Sequence, residues 1–284
     1  MRLIHTLLFL FREGRIEEDI SLATACLKSL EKATYKTVIV YNQGFLTDEQ
    51  VKDFLKYFDL NCIVIGDGVN VGTVVGRQAC FEYIWANYAD TDYISEIHLD
   101  MIFPPHWEDA LVEYLDENDE PMISSGIIDA QKNLNFLDQT AQYIPTDLNE
   151  FDEFLENLRI DKIVHGFTNP CVHVSKILKI AGGYDKNFLK GKQCHEDDSM
   201  LLGYYYYYGT KENWHPKVNY NTVVYHAIAG QRMVLEDFGA NVNLNYNGLI
   251  LQYGVMGLKH LSELHKSAWH KNFFGAEYNR LIGK

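Results

Sequence analysis

Cysteine, proline and basic side chains are all scarce in this chain, and each shortage removes a class of explanation. The five cysteines, Cys26, Cys62, Cys80, Cys171 and Cys194, are scattered over 284 residues without a CxxC pair. An odd, dispersed set argues against a disulfide framework or a structural zinc site, and for a reduced, intracellular protein. Cys194 adjoins an acidic cluster, where a bystander role is favoured over ligand or nucleophile. Only 25 residues are Lys or Arg against 39 Asp or Glu, a formal charge of −14. A nucleic-acid binder would carry a basic face, so no nucleic-acid partner is expected. An anionic substrate would then need a cation or a few well-placed Lys or Arg groups. No apolar run reaches the roughly 18 residues of a membrane span, so no transmembrane segment is expected. The apolar stretch Leu3–Phe11 is short and no small-residue cleavage site follows it. It reads as a first buried strand rather than a signal peptide. The expected location is cytoplasmic, at most peripheral at the inner membrane face.

What the chain does contain is an alternation of strand-like and helix-like periods. Leu7–Phe11 reads as strand and Ile16–Lys32 as helix, with apolar residues at Ile20, Ala23, Leu27 and Leu30. Lys36–Asn42 is a near-continuous β-branched run of the kind that parallel strands bury on both faces. Asp48–Phe58 follows as helix, Asn61–Gly66 as strand, Val75–Tyr88 as helix and Thr91–Leu99 as strand. This predicts an α/β fold with a mixed, mostly parallel sheet flanked by helices. Ligands in such sheets bind beyond the carboxyl ends of the strands. Asn42, Gly66-Asp67 and His98-Leu99-Asp100 all fall there.

Later segments are expected as a helix over His106–Leu115, a strand over Ile123–Ile127, and a polar surface excursion over 129–160. Lys162–Val174 is β-like, and Val174–Ala181 is a short helix capped by Gly182-Gly183. Ser199–Tyr208 reads as helix, its five consecutive tyrosines mostly packing, and Val218–His226 as the last strand. Residues 1–234 form one domain in this scheme. Residues 235–284 form a helical appendage, periodic over Leu249–Leu264 and ending in a mixed polar tail.

Four constellations carry chemistry. In extended chain His98 and Asp100 point to one side, so an imidazole and a carboxylate could share one cation. The plain alternative is an Asx-type turn before Pro104. His195-Glu196-Asp197-Asp198, behind the Gly182-Gly183-Tyr184-Asp185 turn, packs ionisable groups that need compensation. They suit a helix N-terminus, where carboxylates favour the dipole, or a general base for an incoming hydroxyl. Tyr225-His226-Ala227 ends the last strand, where a histidine is structural or completes a cation site. Asn70-Val71-Gly72 with Gly76-Arg77 is a glycine-bearing turn into a helix, suited to phosphate contact, with Arg77 supplying charge.

In this order the motifs resemble those of the GT-A glycosyltransferases, particularly the family 2-like inverting enzymes that use nucleotide-sugar donors. The stretch His98-Leu99-Asp100-Met101-Ile102-Phe103-Pro104-Pro105-His106-Trp107 is similar to that family's DxD strand end. Asp100 matches the last acid and His98 stands in place of the first. Gly182-Gly183-Tyr184-Asp185 and Glu196-Asp197 resemble its GG[FY]D turn and ED pair. The resemblance covers roughly residues 5–230. It implies the GT-A (Rossmann-like) architecture and metal-assisted transfer of a sugar from a UDP- or GDP-sugar to a glycan, lipid-linked or protein acceptor. Asp197 would be the base, with Glu196 the alternative. Asp100, His98 and His226 would hold Mn²⁺ or Mg²⁺. Asn42, Asp67, Asn70, Gly72, Arg77 and His98 would contact the donor. The strand that carries a base- or ribose-binding acid in the family here ends Val40-Tyr41-Asn42-Gln43, which leaves Asp67 for that part. The rival from another class is a non-catalytic nucleotide-sugar or glycan-binding protein with the same fold. Nucleotidyl transfer is disfavoured, because no basic glycine-rich loop lies near the N-terminus.

Overall fold

The computed structural model describes residues 2–207, 214–228 and 237–284; Tyr208, last of the tyrosine run, lies outside them. Four parallel strands open the sheet: β1 (Leu3–Phe9), β2 (Thr37–Asn42), β3 (Asn61–Gly66) and β4 (Tyr93–Ile97). Helices α1 (Ile16–Leu30), α2 (Asp48–Leu55) and α3 (Gly72–Asn87) connect them. The β-branched run of β2 is buried along its whole length, as an interior parallel strand requires. A reciprocal capping box between Thr47 and Gln50 starts α2.

The second half of the sheet is mixed. Short β5 (Met101–Ile102) leads to α4 (Asp109–Glu117) and β6 (Met122–Asp129). The Lys162–Val174 stretch splits into β9 (Ile163–His165) and β10 (Cys171–Val174), with β10 inserted antiparallel between β4 and β6. The last strand, β11 (Lys217–His226), runs parallel to β6 and antiparallel to β5 and β9. The main strand order is β3-β2-β1-β4-β10-β6-β11-β5. The expected mixed, mostly parallel sheet with flanking helices is therefore present.

Strand alternation splits the core into two layers. Leu3, Leu7, Val38 and Val40 face α1, α2 and α4 in one cluster. Ile4, Ile39 and Ile94 face the other side, packing with Phe81 of α3 and Leu178 of α6 (Ser175–Ala181). Gly182 closes α6 in the left-handed region at φ 94°, with its N–H returning to Leu178 O at 3.1 Å.

Three expectations need correction. Residues 129–160 are not a bare excursion: they form a small hairpin, β7 (Asn133–Leu134) and β8 (Gln139–Thr140), and a helix, α5 (Leu148–Asn157). Phe151, Phe154 and Leu155 of α5 are buried against Val218 and Tyr220 of β11. Helix α7 (Glu196–Tyr207) starts three residues earlier than periodicity suggested, because its first turn is acidic rather than apolar. The polar tail is a helix, α9 (Ala268–Leu281), packed on the long, Gly254-kinked α8 (Phe238–Leu264). Leu249, Leu258, Leu261 and Phe274 from this segment join the same buried cluster as Phe81 and Leu201.

A candidate active site at the strand ends

A cleft of about 1220 Å³ opens beyond the carboxyl ends of β1 and β4. Asn70, Gly72, Arg77, His98, Asp100, Glu196, Asp197 and His226 all line it, together with Asp198, Asn169, His195, His265 and Trp269. Asn42 does not. It is fully buried, and its amide donates to Leu46 O (3.0 Å) and Asp48 Oδ1 (2.7 Å) while accepting from Gly44 N (3.1 Å). It builds the turn after β2 instead of presenting a donor contact. Asp67 lies in an adjoining depression with Thr47 and Asp48.

The first cluster is assembled by strand pairing. β5 and β11 set His226 opposite Met101, and Ala227 N donates to Asp100 O at 3.0 Å. Asp100 Oδ1 then sits 3.4 Å from His226 Nε2, and the His98 and His226 rings are 5.3 Å apart. One ligand atom from each of the three lies within 4.8 Å of the others. Burial raises the Asp100 pKa, but the His226 contact and the nearby charges of His226 and His98 outweigh it and hold the carboxyl below its ordinary value. Two imidazoles and one ionised carboxylate fit a divalent cation, and the nitrogen donors favour Mn²⁺ over Mg²⁺.

Across the cleft, the first turn of α7 gives its three acids different fates. Glu196 is 5 % exposed. Asp198 accepts from His195 Nδ1 and His265 Nε2, each at 2.7 Å. Burial opposes ionisation of Asp198, but these two contacts hold its carboxyl far below the usual range. Asp197 is the partly exposed acid of the three, with Asn169 Nδ2 3.5 Å from its Oδ1.

The floor of the cleft changes the part given to Arg77. Its side chain is fully buried, with Nε 3.0 Å from Glu96 Oε2 and Nη groups donating to Thr6 and to Ile97 O. Glu96 also accepts from Tyr184 OH (3.0 Å) and pairs with His173 Nε2 (2.9 Å). Burial would raise the Glu96 pKa, but His173, Arg77 and Tyr184 together lower it. Glu96, Cys171 and His173 also group three ligand types. The guanidinium alongside makes them a satisfied polar network rather than a second cation site.

The turn before α3 is likewise internally engaged. Val71 N donates to Gln43, Gly72 N to Asn70, and Thr73 N to Lys192 O at 2.7 Å. These three N–H groups are therefore engaged within the protein. Gly72 is needed for close approach: at φ +85° an added Cβ would come within 2.4 Å of Lys192 Cα.

Sequence reasoning missed Asn169, His265 and Asn245. Long-range packing brings Asn169 and His265 to the acidic cluster and Asn245 to the loop before it.

No protein-family model matches the sequence, and no curated protein does. Solved structures do match. S. aureus TarS 1-349 superposes with a TM-score of 0.57 at 11 % identity, covering 98 % of this chain and 70 % of that one. The chain has a GT-A glycosyltransferase fold. TarS 1-349 in complex with UDP-GlcNAc gives 0.54 at 14 % identity over 98 % of this chain and 71 % of that one. The complex with UDP gives 0.53 at 13 % identity over 93 % and 70 %. At such identities the likeness carries the GT-A fold alone. The described residues contain no helix long and apolar enough to cross a membrane.

Proposed function

We propose that this chain is an inverting, metal-assisted glycosyltransferase that moves a hexosyl group from a UDP- or GDP-sugar to an acceptor hydroxyl. One observation carries the proposal: the His98–Asp100–His226 cluster and the half-open Asp197 line the same cleft. Donor-side and acceptor-side chemistry thus have separate groups in one space. The nucleotide-sugar complexes of TarS support the donor class.

Asp197 takes the proton of the acceptor hydroxyl as its oxygen attacks the anomeric carbon. The new C–O bond forms as the bond to the diphosphate oxygen breaks on the opposite face, and configuration inverts. Asp100, His98 and His226 would hold Mn²⁺ or Mg²⁺, which would neutralise charge on the departing diphosphate. Glu196 is too enclosed to meet an acceptor directly, so the first role falls to Asp197. Asn169 orients the Asp197 carboxylate. Asp67, in the adjoining depression, would meet the nucleoside end of the donor. The scattered cysteines suit a reducing, cytoplasmic setting, and the acceptor class remains glycan, lipid-linked or protein. His98 in place of an acid favours one second reading, a binding protein without turnover.

Asp197→Asn decides between them. The expected outcome is loss of at least about a hundredfold in transfer or donor hydrolysis, with UDP-sugar binding retained in a thermal-shift assay with Mn²⁺. A parent protein that binds UDP-sugar but neither transfers nor hydrolyses it would establish the binding reading instead.

A further inference from the structure

We propose that Asn245, on α8, is a positioning residue that templates the loop carrying Asp197, so that the C-terminal helices aim the candidate base. The catalytic half of this inference rests on the transferase reading; the loop half rests on contacts alone.

Asn245 is fully buried, and its amide is directed entirely at the backbone of the 191–194 loop. Its Oδ1 accepts from Gly191 N at 2.6 Å. Its Nδ2 donates to Cys194 O at 2.7 Å, Gly191 O at 3.2 Å and Gln193 O at 3.3 Å. One turn away on α8, Asn241 Oδ1 accepts from Lys192 N at 2.7 Å. Asparagine is a poor residue for a helix interior, so α8 carries both at a local cost that these contacts offset.

The loop needs such support. Cys194 and His195 both lie in the left-handed region, at φ 77° and 61°. For residues other than glycine this costs on the order of 1 kcal/mol each. Helix and loop also meet at backbone distance. An added Cβ at Gly191 would sit 2.3 Å from Asn241 O, and one at Gly248 would sit 2.2 Å from Phe188 O. Immediately after the strained pair, His195 O accepts from Ser199 N at 3.0 Å and α7 begins, presenting Asp197. His98 and Asp100 lie on the turn between β4 and β5 and His226 ends β11, so the cation cluster makes none of these contacts, whereas the loop does meet the turn before α3, where Lys192 O accepts from Thr73 N at 2.7 Å. Releasing the loop should therefore disturb the base and spare the cation cluster.

Cys194 reports the loop directly. It is half-buried, as is Cys62, while Cys26, Cys80 and Cys171 are buried. In a Cys62→Ser background, the rate of thiol alkylation at each cysteine is measured by peptide mass spectrometry for the parent, Asn245→Ala, Asn245→Asp and Asn241→Ala. Loss of the Asn245 contacts should speed Cys194 modification by about tenfold or more, with a smaller effect in Asn241→Ala and no change at the buried thiols. Turnover should fall about tenfold or more while Mn²⁺ affinity stays within about twofold. Unchanged Cys194 reactivity in a folded Asn245→Ala would overturn the inference, as would faster modification with unchanged turnover in an active enzyme. If Asn245→Ala unmasks all thiols, it has unfolded, and Asn245→Asp and Asn241→Ala are judged by the same two criteria. A parent without transfer or hydrolysis would sink the transferase reading, and the Cys194 comparison would still decide the loop.

Discussion

Arg77→Met removes the cation beneath the cleft and leaves Glu96 ionised and 3 % exposed. The buried carboxylate then keeps only His173 and Tyr184, and Thr6 and Ile97 lose their guanidinium donors. Breaking a buried pair in this way costs about 3–5 kcal/mol. For a chain of this size that corresponds to roughly 5–8 °C in Tm. The sign with pH follows from Glu96, whose folded pKa lies below its ordinary value. Its stabilisation is present above the ordinary carboxylate range and is lost as pH falls through the depressed value. Removing Arg77 raises that value, so the variant should lag the parent most near pH 7 and least toward pH 5. Glu96→Gln in the same chain removes the stranded charge and should recover a good part of the loss. The assay is urea unfolding of the parent, both singles and the double at the two pH values. A cost below about 1 kcal/mol, or a double no more stable than Arg77→Met, would refute the ion-pair account. Arg77 would then be open again as a phosphate ligand.

Other expectations test different parts of the molecule. Glu108 is fully buried, its Oε2 lacks a hydrogen-bond partner among the described residues, and burial pushes its carboxyl up to about 7. Parent stability should fall as pH rises from about 4.5 to about 7, while Glu108→Gln, which keeps the acceptor for Tyr35 N, should flatten that Tm profile. Asp198→Asn strands two imidazoles and should cost about 2–3 kcal/mol at pH 7 in urea unfolding, with the difference shrinking as pH falls below the carboxylate range. Asp100→Asn should weaken Mn²⁺ binding by about tenfold or more in an EPR titration while leaving Tm in metal-free buffer nearly unchanged.

How far the sequence revealed all this varied by physical cause. The parallel half of the sheet was legible because its strands are short apolar runs bounded by turn residues, with Lys36–Asn42 the plainest. The strand-end positions of His98, Asp100 and His226 followed from the same pattern. Side-chain direction did not follow, and Asn42 shows why: Leu46 and Asp48 in the next turn capture its amide. The ion pair of Arg77 was not legible, because its counter-charge, Glu96, comes from strand β4, distant in sequence. Helix α9 escaped notice because its apolar face is a few aromatic rings, Trp269 stacked on Phe273 and Phe273 edge-on to Phe274, set among polar residues. The Asn245 contact spans some fifty residues, so its partner could not be read from the sequence, although asparagine inside a helix marks the position as unusual.

The pairing of β5 with β11 also has a consequence for the order of folding. His98 follows β4 directly, but β5 pairs only with β11, so Asp100 and His226 come together only when the last strand docks. Loop closure over so long a separation is slow relative to local helix and parallel-strand formation nearby. If the three side chains hold a cation as proposed, its capture would come late, after most of the sheet has formed.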